Sequence, residues 1–335
     1  RLPSRLLVRP NHVADMCRGC PEAMTCAVES LSTPTACLSG RHALSTVTVV
    51  RATFELRRRQ LVLAEKQEIA NNLNQRRMEM EKLFDGRVHT YEAVDRRINN
   101  VVRGLIDVGV RQGYRVGVLM ETRPSALVAI AALSRLGAAS VLMPPDGDLR
   151  EAARLGGVAE ILTDPTNLAA ARELDLQVLV LGGGESRDLN LGDNDDVIDM
   201  ERIDPDAVTL PGWYRPNPGY ARDLAFVAFN TVGGELVAKQ ITNYRWALSA
   251  FGTASAAALS GSDTVYCLTP LHHQSGLLVA LGGAVVGGAR IALSRGLHPD
   301  TFVTEVRQYG VTVVSYTWAM IGEVIDDPAF VLHGN

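Results

Sequence analysis

The chain has 335 residues, 47% of them hydrophobic and 21% charged, with a formal net charge of -4. This is the composition of a folded globular protein long enough for more than one packed core, and it excludes an intrinsically disordered chain. The near-balanced charge supplies no basic field for nucleic acid, so any anion site has to be local.

Residues 1–50 mix Pro, Cys, Ser, Thr and Gly without helix or strand period and are predicted to be a poorly structured leader. The sequence opens on Arg1, and its first twenty residues hold no apolar core of the signal-peptide type, which predicts a cytoplasmic protein whose given start need not be its natural one. Cys17, Cys20, Cys26 and Cys37 crowd together here with His12 and His42. The spacing of Cys17 and Cys20 lets two thiolates grip one zinc ion, but the second pair is loosely spaced. Reduced cysteines in a leader are the favoured reading, and no metal site is assigned.

Residues 51–84 shift to Arg, Glu, Gln, Asn and Leu, with Phe54, Leu61, Ile69 and Leu73 near helical spacing. An amphipathic helical segment is predicted. Its basic clusters offer a peripheral membrane contact through residues 51–83, weighed against a plainly solvated charged face. The longest apolar runs are broken, Ala126 to Met143 by Arg135 and Leu277 to Leu293 by Arg290 and paired glycines, so no transmembrane span is expected.

From Asp85-Gly86, read as a turn, the pattern becomes regular. "RVHTY" reads as a short strand, and the helix after it has Thr90 as cap and Val94, Ile98, Val101, Val102 and Leu105 along one face. "RVGVLM", "ASVLMPP", "AEILTD" and "LQVLVLG" read as buried strands separated by helices. Continuous apolar strands alternating with helices mean an α/β fold with mainly parallel sheets covered on both faces. Residues 185–222 are polar and turn-rich and read as a long surface excursion. Strands and helices then resume, with Cys267 a buried strand residue and "GLLVALGGAVVGGA" a small-residue helix. Its glycines and alanines could either leave room for a chain in a tunnel or pack the helix closely on the sheet.

Two glycine-bearing stretches invite a nucleotide reading. Gly182 to Gly184 imitates a dinucleotide-binding turn, but Arg187 stands where a glycine is needed and no apolar helix comes after it. A turn is the better reading. In "AFVAFNTVGGELVAKQITNYRW" a strand enters a loop with Thr231, Gly233 and Gly234, then Lys239, then a helix start near Thr242. Glycines admit phosphate oxygens to backbone amides, a hydroxyl adds a donor and a lysine adds charge. The spacing is not that of the G-x-x-x-x-G-K-[ST] loop, and a simple turn between strand and helix weighs equally.

"HTYEAVDRRINNVVRGLIDVGVRQGYRVGVLMETRPSALVAIAALSRLGAASVLMPP" resembles the opening of the adenylate-forming acyl-CoA synthetases, the AMP-binding superfamily, with Tyr114 where that family usually has aspartate. "LTPLHHQSGLL" is similar to the family's P-L-F-H-x-x-G segment, with His273 on the histidine and Gly276 on the glycine. The resemblance covers residues 85 to about 330 and implies a truncated counterpart of the family's large amino-terminal domain, so 85–335 is predicted to be a partial adenylation domain.

By that resemblance the chain would be an incomplete part of a long-chain fatty acid–CoA ligase, with ATP, Mg2+ and coenzyme A as cofactors and a fatty acid as substrate. The resemblance likewise implies that Thr231, Gly233, Gly234 and Lys239 would bind the nucleotide, and His273 and Gly276 the acyl substrate. The catalytic lysine of the family's carboxy-terminal lid has no counterpart in this sequence. Glu235 falls on a threonine position, and a carboxylate about 4 Å from a phosphate charge would repel it by roughly 4 kcal/mol at an effective dielectric of 20. The alternatives are a non-catalytic remnant or acyl- or partner-binding module of the same fold, and a zinc module built on the four amino-terminal cysteines.

Overall fold

A computed structural model of the chain describes residues 48–51, 81–84, 87–184, 187–191 and 196–326. The four amino-terminal cysteines, Phe54, Leu61, Ile69, Leu73 and the Asp85-Gly86 turn lie outside the described residues.

The local signals act where the sequence puts them. Thr90 Oγ1 accepts from Ala93 N at 3.1 Å and opens α1 (Tyr91–Asp107), whose buried stripe includes Val94, Ile98, Val101, Val102 and Leu105. Pro124 starts α2 (Pro124–Leu136), and Gly137, at φ 79, ends it by returning its N–H to Leu133 and Ser134. Asp148 caps α3 (Leu149–Gly156) by accepting from Glu151 N at 2.9 Å. A single 3-10 turn, Pro165–Asn167, leads into the short α4 (Leu168–Arg172).

Seven strands form one sheet. They are β4 (Arg115–Leu119), β5 (Ala139–Leu142), β6 (Glu160–Thr163), β7 (Gln177–Val180), β8 (Val197–Asp199), β9 (Leu224–Val232) and β10 (Glu235–Thr242). Their order is β10-β9-β5-β4-β6-β7-β8, all parallel except β10, which runs antiparallel to β9. β4 lies between β5 and β6, so the chain reverses its direction of growth at the β4/β6 crevice, where ligands favour the carboxyl ends of such sheets. One face packs against α1 and α2 through Leu105, Leu133 and Leu136, and the other against α3 and α4 through Met143, Ile161 and Ala171. The expected surface excursion at 185–222 contains β8, which adds to the sheet edge beside β7.

A second sheet has the order β1-β13-β11-β12-β2-β3, from β1 (Thr48–Arg51), β2 (Glu81–Phe84), β3 (Arg87–Thr90), β11 (Thr264–Cys267), β12 (Arg290–Leu293) and β13 (Val313–Tyr316). Two boundaries predicted from sequence change here, the first because β1 spans the 50/51 cut between leader and helical segment. Residues 81–84, assigned to the amphipathic helical segment, form a strand that pairs with β12 and β3. Since β1 and β2 both pair with strands from beyond residue 260, the cut at 84/85 runs through one sheet rather than between domains. Hydrogen bonds made far along the chain override the local helical period.

Helix α5 (Asn243–Ala256) comes after β10, and a π-helical segment, Ser275–Leu281, runs into α6 (Gly282–Gly287). Added methyls would come within 2.9 Å of Ala250 at Gly282, 2.7 Å of Thr253 at Gly283 and 2.5 Å of Leu259 at Gly287. The small residues therefore serve close packing on α5 and the turn after it, and leave no tunnel along that line. Helices α7 (Pro299–Gln308) and α8 (Trp318–Asp326) complete the described chain.

Leu133, fully buried between α2 and the sheet, tests the core. Leu133→Ala is expected to lower stability by about 2–5 kcal/mol, read as a lower urea midpoint with an unchanged slope.

Candidate functional site

The glycine loop is a hairpin turn. Gly233 and Gly234 sit at φ 62 and 88, the conformation of a two-residue turn, and pairing from Val232↔Glu235 to Phe226↔Ile241 is unbroken. The expected order of strand, loop, lysine and helix is thus corrected: Thr231 lies within β9 and Lys239 within β10. Tertiary pairing converts the polar run after the glycines into a strand.

Strand periodicity then sorts the side chains. Asn230, Val237, Ala228 and Lys239 share one face, with Ala228 and Ile241 in the core beneath α1 and α2. Thr231, Leu236, Phe229 and Ala238 share the other, where Phe229 is a core residue and Leu236 and Ala238 pack against it. Thr231 and Lys239 therefore do not converge, and Gly233 and Gly234 project at the exposed tip. Most of the hairpin's amides between Glu235 and Ile241 alternate between the β9 ladder and the outer edge, so they form no concave nest.

Lys239 does meet other polar groups. With the Asn230 amide turned so that its oxygen faces the lysine, it accepts from Lys239 Nζ at 3.2 Å and its nitrogen donates to Phe229 O at 2.7 Å. In the opposite orientation of that amide its oxygen instead accepts from Gln274 Nε2 at 3.2 Å. Gln274 belongs to the segment that carries His273, so the structure joins two stretches that the sequence treats separately. Asn230 was missed by sequence reasoning; its only signal was polarity at the end of an apolar strand.

The segment before the π-helix is tightly held. Leu271 N donates to the buried Thr122 Oγ1 at 3.0 Å, tying it to the loop after β4. Ser275 N donates to His273 Nδ1 at 3.3 Å, and Ser275 Oγ lies 2.6 Å from the same nitrogen. A ring nitrogen that accepts an amide is unprotonated, which leaves His273 with Nε2–H as its donor. Although the residue is exposed, partial desolvation of the ring holds its pKa below the ordinary value. His272 is the more enclosed of the pair: burial, with His273 adding to it, pushes its pKa down to about 4 against the opposing pull of Asp146. Gly276 acts by its size, since a methyl there would lie 2.2 Å from Pro270 O and 2.6 Å from Thr269 O. It lets the chain turn back on itself rather than offering a contact surface.

Beside this cluster, at the β4/β6 crevice, Asp164 is fully buried and accepts from Glu121 N at 2.9 Å and Asn167 N at 3.0 Å. Arg123 Nη1 lies 3.4 Å from its carboxylate, and its side chain is equally withdrawn from water. That pair fills the crevice and braces the loop bearing Thr122. The triple glycine, all at positive φ, ends β7, with Gly182 N donated to Glu201 Oε1 at 2.9 Å, and it offers no phosphate cradle.

A polar cavity of about 530 Å3 lies at the β8 edge, lined by Arg187, Asp199, Glu201 and Arg202 among others. Its two guanidiniums both pair with Asp199, so it has little call for an added anion. The five strands between β8 and β10 separate it from Lys239. Among the described residues no group of three or more His, Cys, Asp or Glu is arranged to hold a metal, and no helix is long and apolar enough to cross a membrane.

Comparison with known proteins matches residues 69–229 to the family model "AMP-binding enzyme". A medium/long-chain-fatty-acid–CoA ligase, FadD6 of Mycobacterium tuberculosis, is 31% identical over 252 residues, 72% of this chain and 39% of that protein. Long-chain fatty acid transport protein 2 of Rattus norvegicus is 28% identical over 72% of this chain and 39% of its own length. The chain thus spans about two fifths of the length of these relatives. The structure of o-succinylbenzoate CoA synthetase from Bacillus subtilis with its acyl-adenylate intermediate superposes with a TM-score of 0.62 at 17% identity, over 84% of this chain and 65% of that one. This likeness establishes the same α/β fold.

Two measurements test the local geometry. Gly276→Ala forces the 269–270 backbone to move and is expected to cost about 1–3 kcal/mol, seen as a lower urea midpoint. For His272 the folded pKa of about 4 lies below the ordinary 6.5, so the unfolded chain binds more protons between those values. Stability is expected to fall as pH drops through that window, and His272→Gln to flatten the fall in urea midpoints.

Proposed function

We propose that this chain, which belongs to the AMP-binding enzyme family over residues 69–229, supplies the amino-terminal part of an ATP-dependent acid–thiol ligase acting on a fatty acid. In that reaction the carboxylate attacks the α-phosphorus of ATP and pyrophosphate leaves. The thiol of coenzyme A then attacks the acyl carbonyl and AMP leaves. The long-chain preference is supported by the activity of the 31% identical ligase and by nothing in the site itself.

The observation that carries the reading is the meeting of Lys239, Asn230 and Gln274 at the carboxyl end of β9, beside His273. An ammonium held in place by a neutral amide fits an anionic ligand, because the cation supplies charge and the Asn230 oxygen orients it. Those side chains would hold phosphate oxygens; Gly233 and Gly234 would only let a ligand pass close to the tip. His273, as a neutral Nε2–H donor, would face the acyl side. Mg2+ would arrive with the nucleotide, since the described residues contribute no carboxylate cluster for it.

A second reading, a non-catalytic acyl- or partner-binding module of the same fold, is favoured by one observation: Thr231 lies on the opposite face from Lys239, so the hydroxyl the family resemblance implies does not reach the lysine's ligand.

Calorimetric titration of the 335-residue chain with ATP and with AMP separates the two. Under the ligase reading both bind, and Lys239→Ala and Asn230→Ala each weaken ATP by about tenfold, as loss of a hydrogen bond to a charged group should. Palmitate binding with no nucleotide binding would favour the second reading. Absence of acyl hydroxamate from palmitate and ATP in a protein extended to the length of the relatives would remove the first.

A further inference from the structure

Among the described residues strand β10 is the edge of the seven-stranded sheet, its ladder made with β9 alone. The two-residue turn makes Val232 and Glu235 the first hydrogen-bonded pair, so the backbone groups of Glu235, Val237 and Lys239 point to β9. Those of Leu236, Ala238 and Gln240 then point outward, and no backbone bond among the described residues takes them up. The strand has no proline, and its first irregularity comes only at Ile241/Thr242. An open, regular edge of this kind is a template for another strand unless something guards it.

The side chains identify the strand that fits. Glu235, Val237 and Lys239 are all exposed on one face. If a second copy of β10 lies antiparallel about a two-fold axis through Val237, Glu235 stands opposite Lys239 of that copy, and Lys239 opposite its Glu235. Both ion pairs then fall at non-hydrogen-bonded positions, where cross-strand side chains approach most closely. On the other face Leu236 meets Ala238, and the outward groups of those residues bond one another. Moving the axis by one residue, to Ala238, puts Lys239 opposite Val237 and loses both pairs, while parallel in-register pairing sets Glu235 on Glu235.

We propose that the chain self-associates through β10 in this register, joining two seven-stranded sheets across a two-fold axis. The inference rests on the hairpin geometry and not on the ligase reading, and its test contains no nucleotide, so the two fail independently.

Sedimentation velocity of the 335-residue chain over a wide concentration range measures the association. Wild type is expected to show a monomer–dimer equilibrium. Lys239→Glu alone sets carboxylate against carboxylate and Glu235→Lys alone sets ammonium against ammonium, so each is expected to weaken dimerisation by about tenfold or more. The double swap, Glu235→Lys with Lys239→Glu, is expected to restore it. Ala238→Pro removes an outward N–H that β9 does not use, and is expected to give monomer with an unchanged circular dichroism spectrum and urea midpoint. A monomer at every concentration, or a dimer indifferent to all four variants, would overturn the proposal. So would a double swap no better than the single ones.

Discussion

The turn at Gly233 and Gly234 fixes the register of β9 against β10, and that register decides which side chains can act together. Both central residues occupy the left-handed region, at φ 62 and 88, which only a two-residue turn of this hand requires. A slip of β10 by one residue would exchange its two faces, sending Lys239 toward Phe229 and Ala238 toward Asn230. The buried ends of the hairpin prevent the slip, since Ile241 and Phe226 on one face and Val227 on the other are core residues. The placement of a surface lysine is therefore settled by apolar burial at the far end of its own strand.

A second constraint brings the π-helical segment to that lysine. Thr122 accepts from Leu271 N in a buried setting, and its loop is braced by the Arg123–Asp164 pair. Such a pair contributes little net stability because both charges are desolvated, but losing one partner leaves an uncompensated buried charge. Its structural effect is to hold the loop after β4 in one position. Leu271, and with it His272, His273 and Gln274, is then suspended between the two sheets.

Much of this was legible in the sequence, and the reasons are local. Thr90 marks a helix start by satisfying an orphan amide, and the stripe from Val94 to Leu105 carries the helical period. The buried parallel strands announce themselves as continuous apolar runs. The hairpin was misread because Glu235, Lys239 and Gln240 are polar edge residues whose strand state depends on pairing with β9, a long-range interaction that composition does not record. Strand β2 escaped for the same reason, its residues matching a charged helix locally while pairing with β12. Asn230 was passed over because it gains its role only when the Gln274 segment, 44 residues away, arrives beside it.

The register also revises the electrostatic objection to an anion at this site. Read from sequence, Glu235 replaced a hydroxyl within the phosphate loop and stood about 4 Å from the ligand, a repulsion of roughly 4 kcal/mol at an effective dielectric of 20. On the observed strand Glu235 is four residues from Lys239, about 13 Å along the same face. Across that distance the same charges interact by roughly 0.3–1.3 kcal/mol for dielectrics between 80 and 20. Both side chains are exposed and the separation exceeds the Debye length of about 8–10 Å in ordinary salt, so screening lowers the figure further. Within one copy the carboxylate is too far away to oppose an anion at Lys239, and the turn that moved it there also withdrew Thr231 and the hairpin amides from the site. What a single copy keeps on that face is one ammonium and the amides of Asn230 and Gln274: fewer donors than a phosphate loop, but no opposing charge among them.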